Sequence, residues 1–192
     1  IRDLRISLTD RCNFRCFYCL PNGEPPMARK DTILSFEEIV RLSEVFVSLG
    51  IEKLRLTGGE PMLRRGMVDL VAQLSSLKPK LKDLALTTNG HSIPERAADL
   101  KRAGLDRLTI SLDSLDREKF AEITGVDQLG NVLDSIKAAT AAGFERVKVN
   151  ACVVRGRNDD ELVDMARFAR DNGISFRFIE FVPLDSGHEW DR

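Results

Sequence analysis

Six short segments of the chain carry apolar side chains at every second position, which is typical of β-strands that bury one face. The predicted strands are Leu4–Thr9, Lys53–Thr57, Asp83–Thr88, Arg107–Asp113, Arg146–Val154 and Ser175–Val182. Between them, apolar residues recur three and four positions apart, which is typical of amphipathic helices. The predicted helices are Phe36–Leu49, Met67–Leu77, Pro94–Ala103, Leu129–Ala142 and Asp159–Asn172. This alternation predicts repeated strand–helix units, which form a parallel sheet with helices outside it.

The two faces of the predicted strands differ in polarity. One face is apolar and carries Leu4, Ile6, Leu8, Leu54, Leu56, Leu84, Leu86, Leu108, Ile110, Leu112, Val147 and Val149. The other face is polar and carries Arg5, Ser7, Thr9, Arg55, Thr57, Thr87, Asn89, Thr109, Ser111, Lys148 and Asn150. A parallel sheet covered on both sides would be apolar on both faces. We therefore predict an α/β fold, a partial (β/α)6 TIM-like barrel, whose polar lumen holds an anionic ligand near the carboxyl ends of the strands.

The composition narrows the class of protein. The 192 residues suffice for a single domain over residues 1–192. The 29 Lys and Arg nearly balance the 30 Asp and Glu, so we expect no nucleic-acid partner. No apolar run is long enough to cross a membrane, and we expect no membrane partner. The chain begins at Ile1 rather than Met, close to the first predicted strand, and we expect it to be part of a longer protein.

Three of the four cysteines, Cys12, Cys16 and Cys19, fall within eight positions directly after the first predicted strand. This crowding argues against a disulfide scaffold and favours a reducing, cytoplasmic compartment. Three thiolates on one loop can bind soft metals. A zinc site would need a fourth ligand; the remaining candidates are Cys152, His91 and His188. An iron–sulfur cubane with one open iron would need no fourth ligand from the protein.

The segment TGGEP, Thr57 to Pro61, follows the second predicted strand. Gly58 and Gly59 would let the backbone approach a ligand, and the Glu60 carboxylate could pair with an ammonium group. The competing interpretation is a tight strand–helix turn. Arg64 and Arg65 follow this segment, and we predict that they lie in solvent at the start of a helix or at the rim of the barrel.

Three cations, Arg5, Arg55 and Lys148, fall on the polar face of the strands. Because a buried cation without a partner is costly, a triphosphate would compensate all three. The competing interpretation is a set of structural ion pairs inside the barrel. Cys152 is predicted to pack as a small residue on the same face, and His91 to lie at the rim.

The motifs together resemble a known family. CNFRCFYC is similar to the signature of radical S-adenosylmethionine (SAM) enzymes. Six segments resemble the GTP 3′,8-cyclases of molybdenum cofactor biosynthesis (the molybdenum cofactor biosynthesis protein A family), in order and over nearly the whole chain. They are LRISLTDRCNFRCFYCLP, LRLTGGEPMLRR, LALTTNG, LTISLDSLD, VKVNACVVRGRNDDE and FRFIEFVP. The resemblance implies reductive cleavage of SAM at a [4Fe–4S] cluster, giving a 5′-deoxyadenosyl radical that removes hydrogen from C3′ of GTP. The C3′ radical then attacks C8, giving (8S)-3′,8-cyclo-7,8-dihydroguanosine 5′-triphosphate.

The resemblance also implies roles for particular residues. The implied cluster ligands are Cys12, Cys16 and Cys19. The implied SAM-binding residues are Tyr18, Gly58, Gly59, Glu60, Ser111 and Val182. The implied GTP-binding residues are Arg5, Arg55, Thr87 and Lys148. The family commonly has methionine at the position of Val182. Valine keeps an apolar wall there but reaches less far.

Further implications concern partners and alternatives. The resemblance implies an electron donor such as flavodoxin or ferredoxin, and it is compatible with a homodimer. Family members hold a second cluster with three cysteines in a C-terminal extension, which this chain, with one spare cysteine, cannot build. Two alternatives remain open at this point. One is another radical SAM enzyme, such as a peptide-modifying one, and the other is a zinc-binding interaction domain.

Overall fold

The computed structural model describes residues 1–19 and 28–182. Six strands form one sheet in the order β1 to β6, and every neighbouring pair is parallel. The strands are β1 Asp3–Ser7, β2 Lys53–Thr57, β3 Asp83–Thr88, β4 Arg107–Ser111, β5 Lys148–Val153 and β6 Ser175–Glu180. The helices are α1 Phe36–Ser48, α2 Met67–Ser75, α3 Ala97–Arg102, α4 Arg117–Thr124, α5 Leu129–Ala141 and α6 Leu162–Asp171. Short 3-10 turns lie at Lys30–Thr32, Pro61–Leu63 and Asp159–Glu161. The prediction of a partial barrel of parallel strands with outer helices is confirmed.

The apolar face of the strands forms the core, as the alternation predicts. Leu56, Leu84, Leu86, Leu108 and Val149 are fully buried beneath the helices. Burying each such side chain stabilises the fold by roughly 1.5–3 kcal/mol. The opposite face remains open, so it forms the concave surface of an incomplete barrel.

One helix, α4, is not among those that the sequence predicts. Its residues, REKFAEIT, are mostly polar, and the segment gives only a weak apolar stripe. The helix forms because the Asp116 carboxylate accepts the amide hydrogens of Glu118 and Lys119. Gly125 ends it in the left-handed conformation, with φ at +72°. Phe120 supplies the buried anchor.

The start of α1 carries a capping box, and the Arg64 side chain lies over the ring of its first residue, Phe36. The Ser35 hydroxyl accepts the Glu38 amide hydrogen, and the Glu38 carboxylate accepts that of Ser35, which completes the capping box. Arg64 does not lie free in solvent. Instead, its guanidinium donates to the carbonyl oxygens of Leu8, at 2.9 Å, and Leu34, at 3.0 Å. Both carbonyls are far from Arg64 in sequence, which is why no local pattern indicates this contact.

The described part of the chain contains no helix with the length and apolar content that crossing a bilayer requires. Its longest helices, α1 and α5, have 13 residues each.

Candidate active site

The register of the parallel strands brings polar residues from distant parts of the chain into rows across the concave face. Arg5 lies beside Arg55, and Ser111 lies beside Asn150, which in turn lies beside Arg177. The rows border a cavity of about 760 Å³. This volume is within the range of roughly 300–1,000 Å³ that is usual for small-molecule sites.

The cavity contacts many of the residues that are predicted as a site. Its lining includes Arg5, Tyr18, Cys19, Arg55, Thr87, Ser111 and Val182. The remaining predicted residues do not line this cavity; they are Cys12, Cys16, Gly58, Gly59, Glu60 and Lys148. Cys152 lies on the concave face, as predicted, and also lines the cavity. His91 is exposed, as predicted, and its carbonyl oxygen accepts a hydrogen bond from Asn131. His188 lies outside the described residues.

Four cations on the concave face have no ion-pair partner in the part of the chain that the structure describes. Among the described residues, no carboxylate lies within salt-bridge distance of Arg5, Arg55, Lys148 or Arg177. The Arg55 guanidinium donates to the hydroxyls of Thr87, at 3.0 Å, and Thr109, at 3.3 Å. The predicted alternative of internal ion pairs therefore does not describe these four side chains.

The positive charges on this face lower the pKa values of neighbouring cations. Burial, followed by the neighbouring Arg177, lowers the pKa of Lys148. Burial, followed by Arg107, lowers the pKa of Arg55. Arg107 differs from the others because Asp83 binds its guanidinium through two nitrogens. An anionic ligand in the cavity would relieve the repulsion among the unpaired cations.

The cysteine loop is held by the helix that the sequence does not reveal. The amide hydrogens of Arg15 and Phe17 bind the carbonyl oxygens of Thr124 and Ile123 at the end of α4. The Phe14 ring packs edge-on against Phe120, with centroids 6.2 Å apart. These contacts fix the loop against the barrel, and Cys19 of the loop lines the cavity.

The two glycines of TGGEP are needed for close packing against the cysteine loop. The Gly59 and Glu60 amide hydrogens bind the carbonyl oxygens of Thr9, at 2.6 Å, and Arg11, at 2.7 Å. A Cβ atom at Gly59 would overlap the Arg11 carbonyl oxygen and lie 2.6 Å from its carbonyl carbon. Gly58 has a φ of +151° and would place a Cβ 2.5 Å from the Thr9 carbonyl oxygen. A side chain at either position would push the cysteine loop away.

Glu60 is buried beneath this turn, with 1% of its surface exposed. Its carboxylate accepts hydrogen bonds from the Met62 amide, the Thr88 hydroxyl and the Asn89 amide, at 2.9, 2.7 and 2.7 Å. Burial raises the pKa of this carboxyl group. In this arrangement, the carboxylate joins the ends of β2 and β3.

Sequence reasoning missed Asp113, a buried carboxylate just beyond the end of β4. It accepts the Tyr18 hydroxyl at 2.7 Å and the Cys152 amide hydrogen at 2.8 Å, and it lines the cavity. Burial raises its pKa to about 6. The contact ties the cysteine loop to β4 and β5 across 95 residues of sequence. Because its partners are distant in sequence, position within the SLDS segment is the one local signal for Asp113, and it is weak.

Asn158 was also missed as an organiser of the site. It is fully buried, and its amide nitrogen donates to the carbonyl oxygens of Asp113, at 2.6 Å, and Cys152, at 2.8 Å. Its side-chain oxygen accepts the Val154 amide hydrogen at 2.8 Å. Asn158 therefore holds the ends of β4 and β5 together at the edge of the cavity.

We expect Asn158→Ala to lower the free energy of unfolding by about 2–4 kcal/mol, because it leaves three backbone groups without partners. Chemical denaturation would measure the change. Asn172→Ala is a matched control, since the exposed Asn172 makes one side-chain hydrogen bond, to Phe168. Equal stability losses in the two variants would contradict the assigned role of Asn158.

The donor set of the cysteine loop fits an iron–sulfur cluster. Cys12, Cys16 and Cys19 are all free thiols, and cysteine thiolates are the usual ligands of such clusters. Burial raises the pKa of all three thiols, that of Cys16 to about 12, so metal binding must displace their protons. Within the described ranges, no three His, Cys, Asp or Glu side chains converge as the ligands of one metal ion would.

The adjoining cavity also fits a polar ligand. The side-chain oxygen of Asn150 is buried there and has no hydrogen-bond partner among the described residues. Such an atom is costly unless a donor satisfies it. The Asn150 oxygen and the unpaired cations therefore suit a ligand that carries both hydrogen-bond donors and anionic groups.

Comparisons with known proteins agree with this geometry. The model of the radical SAM superfamily matches residues 6–169. The chain is 50% identical over 183 residues to GTP 3′,8-cyclase 2 of Pseudomonas aeruginosa, covering 95% of this chain and 55% of that protein. It is 48% identical over 191 residues to GTP 3′,8-cyclase of Geobacter sulfurreducens, covering 99% of this chain and 58% of that protein. The chain thus spans somewhat more than half the length of these curated relatives.

Solved structures show the same fold at low sequence identity. Streptococcus suis SuiB bound to the precursor peptide SuiA has a TM-score of 0.79 at 18% identity, covering 94% of this chain and 39% of that chain. Native anSMEcpe with bound AdoMet has a TM-score of 0.75 at 17% identity, covering 95% of this chain and 52% of that chain.

Proposed function

The chain belongs to the radical SAM superfamily, and on this premise we propose that it is the SAM-binding and GTP-binding core of a GTP 3′,8-cyclase. The observation that carries the proposal is the group of unpaired cations beside the cysteine loop, on a chain about 50% identical to GTP 3′,8-cyclases. Because the chain spans little more than half of those relatives, complete turnover of GTP is proposed for the whole protein of which such a core is part.

The proposed cluster is a single [4Fe–4S] centre held by Cys12, Cys16 and Cys19. When bound, it would deliver an electron to SAM and so supply the radical that starts the reaction. The chain's own contribution is the fixed loop. Contacts with α4 and with Gly59 fix the backbone of the loop that carries the three thiols.

The proposed SAM-binding residues surround this loop and the adjoining end of the cavity. Tyr18, Ser111 and Val182 line the cavity and would contact SAM directly. Gly58 and Gly59 would present backbone groups beside the loop. Pairing of Glu60 with the ammonium group of SAM stays a prediction. The hydrogen bonds that the carboxylate already makes support a role in shaping the turn.

The proposed GTP-binding residues are Arg5, Arg55, Thr87 and Lys148. Arginine can bind phosphate oxygens through two nitrogens, and the absence of acidic partners for these cations among the described residues leaves their charge available. Arg177 lines the same cavity and would add a fourth positive charge. The cations would position the triphosphate, while the rest of the cavity would exclude water from the reacting sugar.

We expect Lys148→Ala to weaken GTP binding by about tenfold or more, because charge-assisted hydrogen bonds contribute about 1.5–3 kcal/mol. Equilibrium binding of GTP, measured in the absence of oxygen, would give the loss of affinity. Lys137→Ala is the control, since Lys137 is exposed on α5 and pairs with Asp134. GTP binding by the Lys148 variant that equals binding by the unmodified chain would refute the phosphate assignment.

The two alternatives from the sequence receive less support. The relatives near 50% identity are GTP 3′,8-cyclases, whereas the likeness to SuiB at 18% identity concerns the fold alone. The membership in the radical SAM superfamily replaces the zinc-binding interpretation. Neither alternative accounts for the unpaired cations of the lumen as well as a nucleoside triphosphate does.

Several wider features belong to the same proposal. We propose a single domain over residues 1–192, and a cytoplasmic location, because a thiol-held cluster suits a reducing compartment. We also propose an electron donor of the flavodoxin or ferredoxin type and no nucleic-acid or membrane partner. Association as a homodimer stays a prediction that measurement of the mass in solution would test.

A further inference from the structure

Asn89 directly follows β3 and contacts both the TGGEP turn, through Glu60, and the cysteine loop, through Cys12 and Asn13. It is largely buried, with 9% of its surface exposed. Its side-chain nitrogen lies 2.8 Å from the side-chain oxygen of Asn13 and 3.9 Å from the Cys12 sulfur. Hydrogen bonds to sulfur are longer than those to oxygen because sulfur is larger. Asn89 therefore presents a donor to one of the proposed cluster ligands.

The orientation of this amide is set by contacts on its other side. The side-chain oxygen of Asn89 accepts the His91 amide hydrogen at 3.0 Å, which leaves the nitrogen facing the cysteine loop. The backbone amide hydrogen of Asn89 binds the Glu60 carboxylate at 2.7 Å. The same carboxylate accepts the Thr88 hydroxyl at 2.7 Å. Glu60 therefore fixes the backbone from which Asn89 reaches Cys12.

We propose that Asn89 is a positioning residue that donates a hydrogen bond to the Cys12 sulfur and raises the reduction potential of the cluster, and that Glu60 holds Asn89 in place. This inference rests on the proposed ligation of the cluster by Cys12. Reduction adds negative charge to a cluster and its sulfurs, and a hydrogen-bond donor stabilises that charge. Through this network, the TGGEP turn would influence the reduction potential of the cluster.

The test compares reduction potentials of the reconstituted 192-residue chain and its variants, measured by redox titration with electron paramagnetic resonance. Asn89→Asp keeps the shape but removes the donor and adds negative charge, and Asn89→Leu removes the donor without adding charge. We expect both to favour the oxidised cluster, Asn89→Leu by about threefold to tenfold. A tenfold shift corresponds to about 59 mV for one electron. Asn131→Leu is the matched control, because Asn131 contacts His91 and not Cys12.

The outcomes separate this inference from the proposed function. If the unmodified chain assembles no cluster, the proposed function fails and the inference falls with it. If that chain holds a cluster and both Asn89 variants keep its potential, the inference alone is overturned. If both Asn89 variants fail to hold a cluster, Glu60→Gln decides, because it loosens Asn89 but leaves its amide in place. A lowered potential in Glu60→Gln upholds the proposal, and an unchanged potential overturns it.

Discussion

Replacing Cys16 with serine is expected to abolish cluster assembly in this chain. The substitution keeps the size of the side chain but exchanges a soft thiolate for a hydroxyl, which is a poor ligand for iron–sulfur clusters. Two thiols would remain on a loop that offers three. We expect bound iron and the visible absorption of the cluster to fall at least about tenfold after anaerobic reconstitution.

The fourth cysteine supplies a matched control for this experiment. Cys152 lines the cavity but lies on β5, outside the cysteine loop. Cys152→Ser should therefore retain the iron content and absorption of the unmodified chain. The ligand assignment would be wrong if Cys16→Ser kept its cluster while Cys152→Ser lost it.

Replacing Gly59 with alanine is expected to destabilise the chain and displace the cysteine loop. The added Cβ would overlap backbone atoms of Arg11, and backbone cannot rotate away as a side chain can. Overpacking and the loss of the short hydrogen bond from Glu60 to Arg11 should together lower the free energy of unfolding by about 2–4 kcal/mol. We also expect less iron to be bound, since the loop carries all three proposed ligands.

A second glycine makes this result interpretable. Gly130 lies in α5, and a Cβ added there would meet no neighbouring side chain or loop within 4 Å, so alanine encounters no obstacle. Because alanine is the better helix former, Gly130→Ala should stabilise the chain by up to about 1 kcal/mol and keep the cluster. Equal behaviour of the two variants in denaturation and iron binding would show that close packing at Gly59 is unimportant.

The sequence predicts the fold well where short-range patterns carry the information. Alternation of Leu54 and Leu56 with Arg55 indicates both the strand and its buried face, because side chains on a strand point to opposite sides in turn. The capping box of Ser35 and Glu38 can be found for a similar reason: its partners are three residues apart. The helix α4 escapes prediction because its apolar stripe is weak and its Phe120 packs against Phe14 of the cysteine loop, which is distant in sequence.

The candidate site is only partly predictable. The cysteine motif and the lumen cations can be found because they follow from motif spacing and from strand alternation. Asp113 and Asn158 cannot, since each acts through partners that only the folded chain brings close. Glu60 illustrates the intermediate case. Its position in a motif indicates importance, yet only the structure shows that the carboxylate is already bound by β3.

The most direct test of the central claim is anaerobic reconstitution of the 192-residue chain with iron and sulfide, followed by SAM and a strong reductant. The measured product is 5′-deoxyadenosine, with and without GTP. We predict that it forms in the unmodified chain, is absent in Cys16→Ser, and increases when GTP is added. If the unmodified chain assembles no iron–sulfur cluster and releases no 5′-deoxyadenosine, the three cysteines do not form the centre proposed for them.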